Sequence, residues 1–156
     1  MPLNKVKDIL LAEDNPNDVE LFLMALQKLK IANRVRVVRD GAAALDYLHR
    51  EGEFAKRSGG NPAVILLDLK MPKVDGIEVL RRVKSDANLK TIPVVVLTSS
   101  REERDLAECY HLGVNAYVVK PVRFDEFEEA VSTLGVFWAL INEQPPDPGG
   151  VQAPRA

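Results

Sequence analysis

One cysteine in 156 residues, Cys109, excludes an internal disulfide and any cysteine-cluster metal site. That scarcity is compatible with a reducing compartment. The two histidines, His49 and His111, stand alone in the sequence and read as surface or packing residues. No apolar run approaches the roughly 20 residues that a membrane-spanning helix needs. Ile9 to Ala12 is too short for a secretory leader and is ended by Glu13-Asp14. The formal net charge of -2 gives no pull toward nucleic acid or an anionic membrane. Arg34, Arg36 and Arg39 alternate with valines, and Arg81, Arg82 and Lys84 fit the wet side of a helix. A cytoplasmic protein is expected, with neither nucleic-acid nor membrane partners. What the chain does have is 46% hydrophobic residues, enough for one domain with a proper core.

The apolar residues are organised in short runs separated by helical patterns. Val6 to Ala12 reads as a first strand, and Pro16 suits the first turn of the helix expected over Pro16 to Lys30. Val35 to Val38 gives a weaker second strand, followed by a helix from Ala42 to His49. Residues 51–61 are charged and contain Ser58-Gly59-Gly60, the pattern of an exposed extension. Val64 to Leu67 is apolar at every position, as in a strand buried between two helical layers. Asp75-Gly76 then opens a helix whose buried face is Ile77, Val79, Leu80 and Val83. Pro93 opens the strand Val94 to Leu97, and Thr98-Ser99-Ser100 can cap a helix starting near Arg101 and closed by Gly113. Ala116 to Val119 is a fifth strand, and Phe124 to Ile141 a long last helix that carries Phe137 and Trp138. Residues 1–142 should form one domain. Residues 143–156, rich in proline and glycine, lack the apolar content to pack and should be disordered.

Strands alternating with helices predict an α/β fold of the flavodoxin-like kind. It is a doubly wound, five-stranded parallel sheet in the order 2-1-3-4-5, with helices on both faces and a crevice outside the ends of strands 1 and 3. The strand ends carry the chemistry. Glu13 and Asp14 end the first strand, Asp68 the third, Thr98 the fourth and Lys120 the fifth. In a parallel sheet these ends share one edge, which brings together three carboxylates, a hydroxyl and an ammonium. Clustered carboxylates raise each other's pKa unless a cation intervenes. Oxygen donors with room for waters and a phosphate suit Mg²⁺. With that charge neutralised, Asp68 can attack a phosphoryl group, and Thr98 can hydrogen-bond a phosphoryl oxygen and draw its loop inward. Alone, each residue has a structural explanation. Asp68 can end a strand, Glu13-Asp14 can serve a helix dipole, Thr98 can cap a helix, and Lys120-Pro121 can make a turn. Their joint placement requires several coincidences.

The set resembles the receiver domain of two-component response regulators. The resemblance runs from Val6 to Ile141 and rests on Glu13-Asp14, Leu67-Asp68 through Met71-Pro72, Asp75-Gly76, Leu97-Thr98-Ser99, Tyr117 and Lys120-Pro121. It implies that Asp68 accepts a phosphoryl group from a sensor histidine kinase. It implies Mg²⁺ bound by Asp14 and Asp68, by Glu13 through water, and by the Lys70 backbone carbonyl. It makes Thr98 and Tyr117 a switch pair, and gives Lys120 a contact to the phosphoryl group through a cis peptide to Pro121. Residues 51–61, the Asp86 to Pro93 loop and Phe137-Trp138 further resemble the single-domain regulators paired with bacterial phytochromes. That similarity implies a phytochrome-type kinase partner and a homodimer.

The expected function is a stand-alone response regulator, not an enzyme in its output, although it would catalyse its own phosphorylation and dephosphorylation. It would signal through phosphorylation-dependent protein contacts or dimerisation. Two rivals remain. A phosphorylation-independent scaffold would carry the fold without labelling at Asp68. An aspartate-nucleophile phosphatase would need a second acid two residues past the nucleophile, where this chain has Lys70. Lys70 and Ser100, two past Thr98, are placed to tune phosphoryl lifetime.

Overall fold

Five parallel strands, each of four or five residues, form a single sheet in the order β2-β1-β3-β4-β5 in the computed structural model. The structure describes residues 7–28, 33–120, 125 and 129. The strands are β1 (Ile9–Ala12), β2 (Val35–Val38), β3 (Val64–Leu67), β4 (Val94–Thr98) and β5 (Ala116–Val119). Between them run α1 (Pro16–Lys28), α2 (Gly41–His49), α3 (Gly76–Ser85) and α4 (Glu103–His111). Val6, the end of the expected first helix at Lys30, the helix expected over Phe124 to Ile141, Phe137-Trp138, the tail and the Lys120-Pro121 peptide lie outside the described residues.

The strands of the sheet's interior are apolar at every position but Thr98, the last of β4, because both of their faces are covered. Leu10, Ala12, Ile65, Leu67, Val94 and Val96 face one layer, with Leu45 and Leu48 of α2, Val79, Leu80 and Val83 of α3, and Cys109 of α4. Ile9, Leu11, Val64, Leu66, Val95 and Leu97 face the other, with Val19, Phe22, Ala25 and Leu26 of α1. Burying each such side chain stabilises the fold by roughly 1.5–3 kcal/mol, so this two-sided core fixes the sheet on which the strand ends are displayed. Registration keeps those ends level. Ala12 pairs with Val38 and with Leu67, and Leu67 pairs with Val96.

The helix starts are set by side-chain caps. Asn15 Oδ1 accepts from the backbone N–H groups of Asn17 and Asp18 at 2.9 and 3.2 Å, with Pro16 opening α1. Asp40 accepts from Ala43 N at 2.7 Å and Asp75 from Glu78 N at 2.9 Å. The expected Thr98-Ser99-Ser100 cap near Arg101 is not formed. The helix α4 starts at Glu103, with Glu102 as an N-cap that makes no side-chain capping bond. Thr98 Oγ1 accepts within its own loop, and Ser100 Oγ donates to Asp105 in the first turn of α4, as described below.

Residues 51–61 also depart from a purely exposed extension. A 3₁₀ turn over Gly52–Phe54 buries Phe54 edge-on against Tyr47, with ring centroids 5.3 Å apart. The Arg57 guanidinium lies 4.0 Å from the Tyr47 ring centroid, and Arg36 lies 5.6 Å from that of Phe54. Arg36 is therefore half-buried over an aromatic rather than simply solvated.

Candidate functional site

Glu13, Asp14 and Asp68 each bring a carboxylate oxygen to within 4.8 Å of the others, at the carboxyl edge of β1 and β3. The backbone explains the convergence. Asp68 N–H donates to Ala12 carbonyl at 3.0 Å, and Glu13 N–H to Val38 carbonyl at 3.0 Å, so the sheet ladder runs up to the acidic residues themselves. Glu13 and Asp68 are buried, and Asp14 is exposed. Asp68 Oδ1 accepts from the N–H of Leu69 at 2.9 Å, which orients the carboxylate as the chain leaves the strand. Gly76, at the start of α3, closes against this turn. Its N–H donates to the Leu69 carbonyl at 2.9 Å, and a Cβ there would stand 2.2 Å from the Asp68 carbonyl oxygen.

Lys120 enters from β5. Its backbone N–H donates to the Thr98 carbonyl at 2.7 Å, and its Nζ reaches Glu13 Oε1 at 2.6 Å and Asp18 Oδ2 at 2.7 Å. Asp68 Oδ2 is farther, at 3.9 Å, too long for a hydrogen bond. Burial pushes the Glu13 carboxyl up to about 7, opposed by the Lys120 hydrogen bond and reinforced by the Asp68 charge. Burial alone would lower the Lys120 ammonium, but the hydrogen bonds it donates to Asp18 and Glu13, with the charge of Asp68, hold it above the ordinary lysine value.

The remaining expected residues form a second group joined through Ser100. Thr98 is fully buried, and its Oγ1 accepts from Ser100 N at 3.3 Å. Tyr117 donates its hydroxyl to the Ser100 carbonyl at 3.0 Å. Ser100 Oγ donates to Asp105 at 2.7 Å and accepts from Glu102 N at 3.3 Å. Lys70, largely exposed, places its Nζ 3.9 Å from Asp105. An open cleft of about 470 Å³, lined by Asp14, Lys70, Met71, Asp75, Arg104 and Asp105 among others, runs between these two groups. Sequence reasoning missed Asp18 and Asp105. Each is an acid in the first turn of a helix, a position that a helix dipole explains by itself.

Three hard carboxylate donors with one exposed edge fit a small divalent cation, whose charge would relieve their mutual repulsion. Lys120 alone does not neutralise them. The isolated Cys109 is buried, and burial pushes its thiol up to about 11, which leaves it protonated near neutral pH.

Residues 9–132 match the family of response regulator receiver domains. Response regulator Rcp1 of Synechocystis sp. is 40% identical over 135 residues, which cover 86% of this chain and 90% of that protein. A structure of the Mn²⁺-bound form of response regulator Rcp1 aligns with a TM-score of 0.84 at 38% identity, over 90% of this chain and 99% of that one. The phosphorylated cyanobacterial phytochrome response regulator RcpA aligns with a TM-score of 0.85 at 42% identity, over 91% of this chain and all of that one. The bacteriophytochrome response regulator RtBRR is 61% identical, with a TM-score of 0.74, over 91% of this chain and 86% of that one. The five-stranded order found here is the fold of these neighbours.

Proposed function

Because the chain belongs to the response regulator receiver family, we propose that Asp68 is its phosphoacceptor, fed by the phosphohistidine of a sensor histidine kinase. The observation that carries this reading is the convergence of Glu13, Asp14 and Asp68 within 4.8 Å, with Lys120 3.9 Å from Asp68. A carboxylate oxygen of Asp68 attacks phosphorus, the P–N bond to the imidazole breaks, and the imidazole leaves as a neutral ring on taking up a proton. Little covalent work falls to the protein beyond positioning and charge stabilisation. Asp14 and Asp68 would hold Mg²⁺ directly, Glu13 through water, and the Lys70 backbone carbonyl would complete the protein's ligands. A cation held there would contribute positive charge that stabilises the phosphoryl oxygens. Lys120, at the end of β5, supplies a second cation.

Phosphorylation then acts on the Thr98 and Tyr117 pair. The Thr98 hydroxyl leaves Ser100 N for a phosphoryl oxygen, the β4–α4 loop moves, and Tyr117 releases the Ser100 carbonyl. The output is a changed protein contact, including association of two copies. Likeness to phytochrome response regulators supports a phytochrome-type kinase as the donor. Among the described residues no helix is long and apolar enough to cross a membrane, and we place the work in the cytoplasm, within residues 1–142.

The test is phosphotransfer from an autophosphorylated phytochrome-type histidine kinase to this protein in Mg²⁺, with Asp68→Asn alongside. Label should move to the wild type and stay on the kinase with the variant. Equal labelling of both would remove Asp68 from the account.

A further inference from the structure

Two carboxylates hold the Lys120 ammonium, and only Glu13 belongs to the acidic cluster of the strand ends. The second, Asp18, comes from the first turn of α1, which Asn15 and Pro16 fix in place. The contact is short, at 2.7 Å, and Lys120 is largely buried with a side-chain exposure of 11%. A charge-assisted bond of this length is about twice as strong as a neutral one.

An ammonium has three N–H donors. Two are taken by Glu13 at 2.6 Å and Asp18 at 2.7 Å, from residues on β1's end and on α1. The bare Asp68 carboxylate stands 3.9 Å from the ammonium, within ion-pair range but too far for a hydrogen bond. A phosphoryl group on Asp68 would carry its oxygens beyond the carboxylate, toward the ammonium. Preorganised donors accelerate a reaction when they sit where charge develops rather than on the ground-state oxygen.

We propose that Asp18 is a positioning residue that holds Lys120 at ion-pair distance from Asp68 and out of hydrogen-bond contact with it, so that the ammonium meets the incoming phosphoryl oxygens. This rests on the reading of Asp68 as phosphoacceptor. Without the Asp18 carboxylate, Lys120 keeps one tie to Glu13 and is drawn the short distance onto Asp68. There it would hydrogen-bond the nucleophile and compete with a divalent cation for the carboxylate. A purely structural Asp18, serving the α1 dipole, would alter stability without acting through Lys120.

The experiment measures labelling by acetyl phosphate and, separately, Mg²⁺ affinity by calorimetry in four proteins beside wild type. They are Asp18→Asn, Asp18→Glu, Lys120→Gln and the Asp18→Asn, Lys120→Gln double variant. Asp18→Asn is expected to slow labelling about tenfold, the loss of one charge-assisted bond, and to weaken Mg²⁺ binding in the same direction. Asp18→Glu should recover much of both. In the Lys120→Gln background, Asp18→Asn should lose most of its effect on Mg²⁺ affinity. Wild-type labelling rate and affinity in Asp18→Asn would overturn the proposal, as would an undiminished effect in the Lys120→Gln background. A wild-type protein that takes no label would instead overturn the reading of Asp68, while the Mg²⁺ arm would still decide whether Asp18 acts through the lysine.

Discussion

The Tyr117 hydroxyl donates to the Ser100 carbonyl at 3.0 Å, which ties β5 to the loop that follows Thr98. Thr98 Oγ1 holds the same residue by its N–H at 3.3 Å. Ser100 is thus gripped from both sides by the two residues expected to switch. On this account Thr98→Ala should still take up a phosphoryl group but lose the change in self-association that phosphorylation brings. Tyr117→Phe should keep part of that change. Light scattering of each protein with and without beryllofluoride reads the difference, and an unaltered response in Thr98→Ala would detach Thr98 from the switch.

Asp105 is a buried carboxylate that accepts from Ser100 Oγ at 2.7 Å. Removing it strands the Ser100 hydroxyl and loosens the start of α4. Asp105→Ala should lower stability by about 1.5–3 kcal/mol, the range for hydrogen bonds to charged groups. Urea denaturation measures this directly. A midpoint equal to wild type would mean the bond contributes nothing net.

Gly76 stands where a side chain cannot. A Cβ would lie 2.2 Å from the Asp68 carbonyl oxygen and 2.7 Å from Leu69 Cα, both backbone atoms that must move as a unit. Gly76→Ala should therefore displace the turn behind Asp68, costing on the order of 1–3 kcal/mol and weakening Mg²⁺ binding together. Gly59→Ala is the control. It meets nothing within 4 Å, its φ of +89° costs backbone strain alone, and it lies beside Lys7, Asp8 and Asn61, at the opposite end of the strands from the acidic cluster. Its metal affinity should be unchanged.

The raised Glu13 carboxyl sets a pH dependence with a definite sign. The folded protein holds this proton up to about 7, whereas the ordinary value is 4.5. A group whose folded value is raised favours the fold at low pH, and that contribution is lost as pH rises from 4.5 to about 7. Metal-free protein should melt at progressively lower temperature across that window, by direction opposite to an ordinary salt-bridged carboxylate. Mg²⁺ affinity should rise over the same window, because binding displaces the proton. Glu13→Gln should flatten both profiles, as thermal melts and Mg²⁺ titrations between about pH 5 and about pH 8 would record.

Much of this was legible in the sequence, for physical reasons that differ by residue. Val64 to Leu67 and Val94 to Leu97 are apolar at each position, a pattern that only a strand covered on two sides explains, and both strands are present. Once the sheet is parallel, Glu13, Asp14, Asp68 and Lys120 must share an edge, and they do. Side-chain pairing across long separations was not legible. Asp18 and Lys120 are 102 residues apart, and nothing local distinguishes Asp18 from an acid placed for the helix dipole. Asp105 sits in the run Glu102-Glu103-Arg104-Asp105, whose charge reads as solvated; only the approach of Ser100 shows which of the four is buried. The helix α4 starts at Glu103 rather than near Arg101 for the same reason, since Ser100 turns its hydroxyl to Asp105 instead of capping a helix there. Phe54 was the visible exception in a charged stretch, and its aromatic ring marks where residues 51–61 fold back onto Tyr47.

The central claim is that Asp68 accepts a phosphoryl group in a reaction that needs a divalent cation. Intact mass after incubation with acetyl phosphate and Mg²⁺ tests it most directly, with Asp68→Asn and a chelator-treated sample in parallel. The account predicts one added phosphoryl group on the wild type, none on Asp68→Asn and none without metal. An adduct that persists in Asp68→Asn, or a wild type that neither gains mass nor binds beryllofluoride, would contradict it.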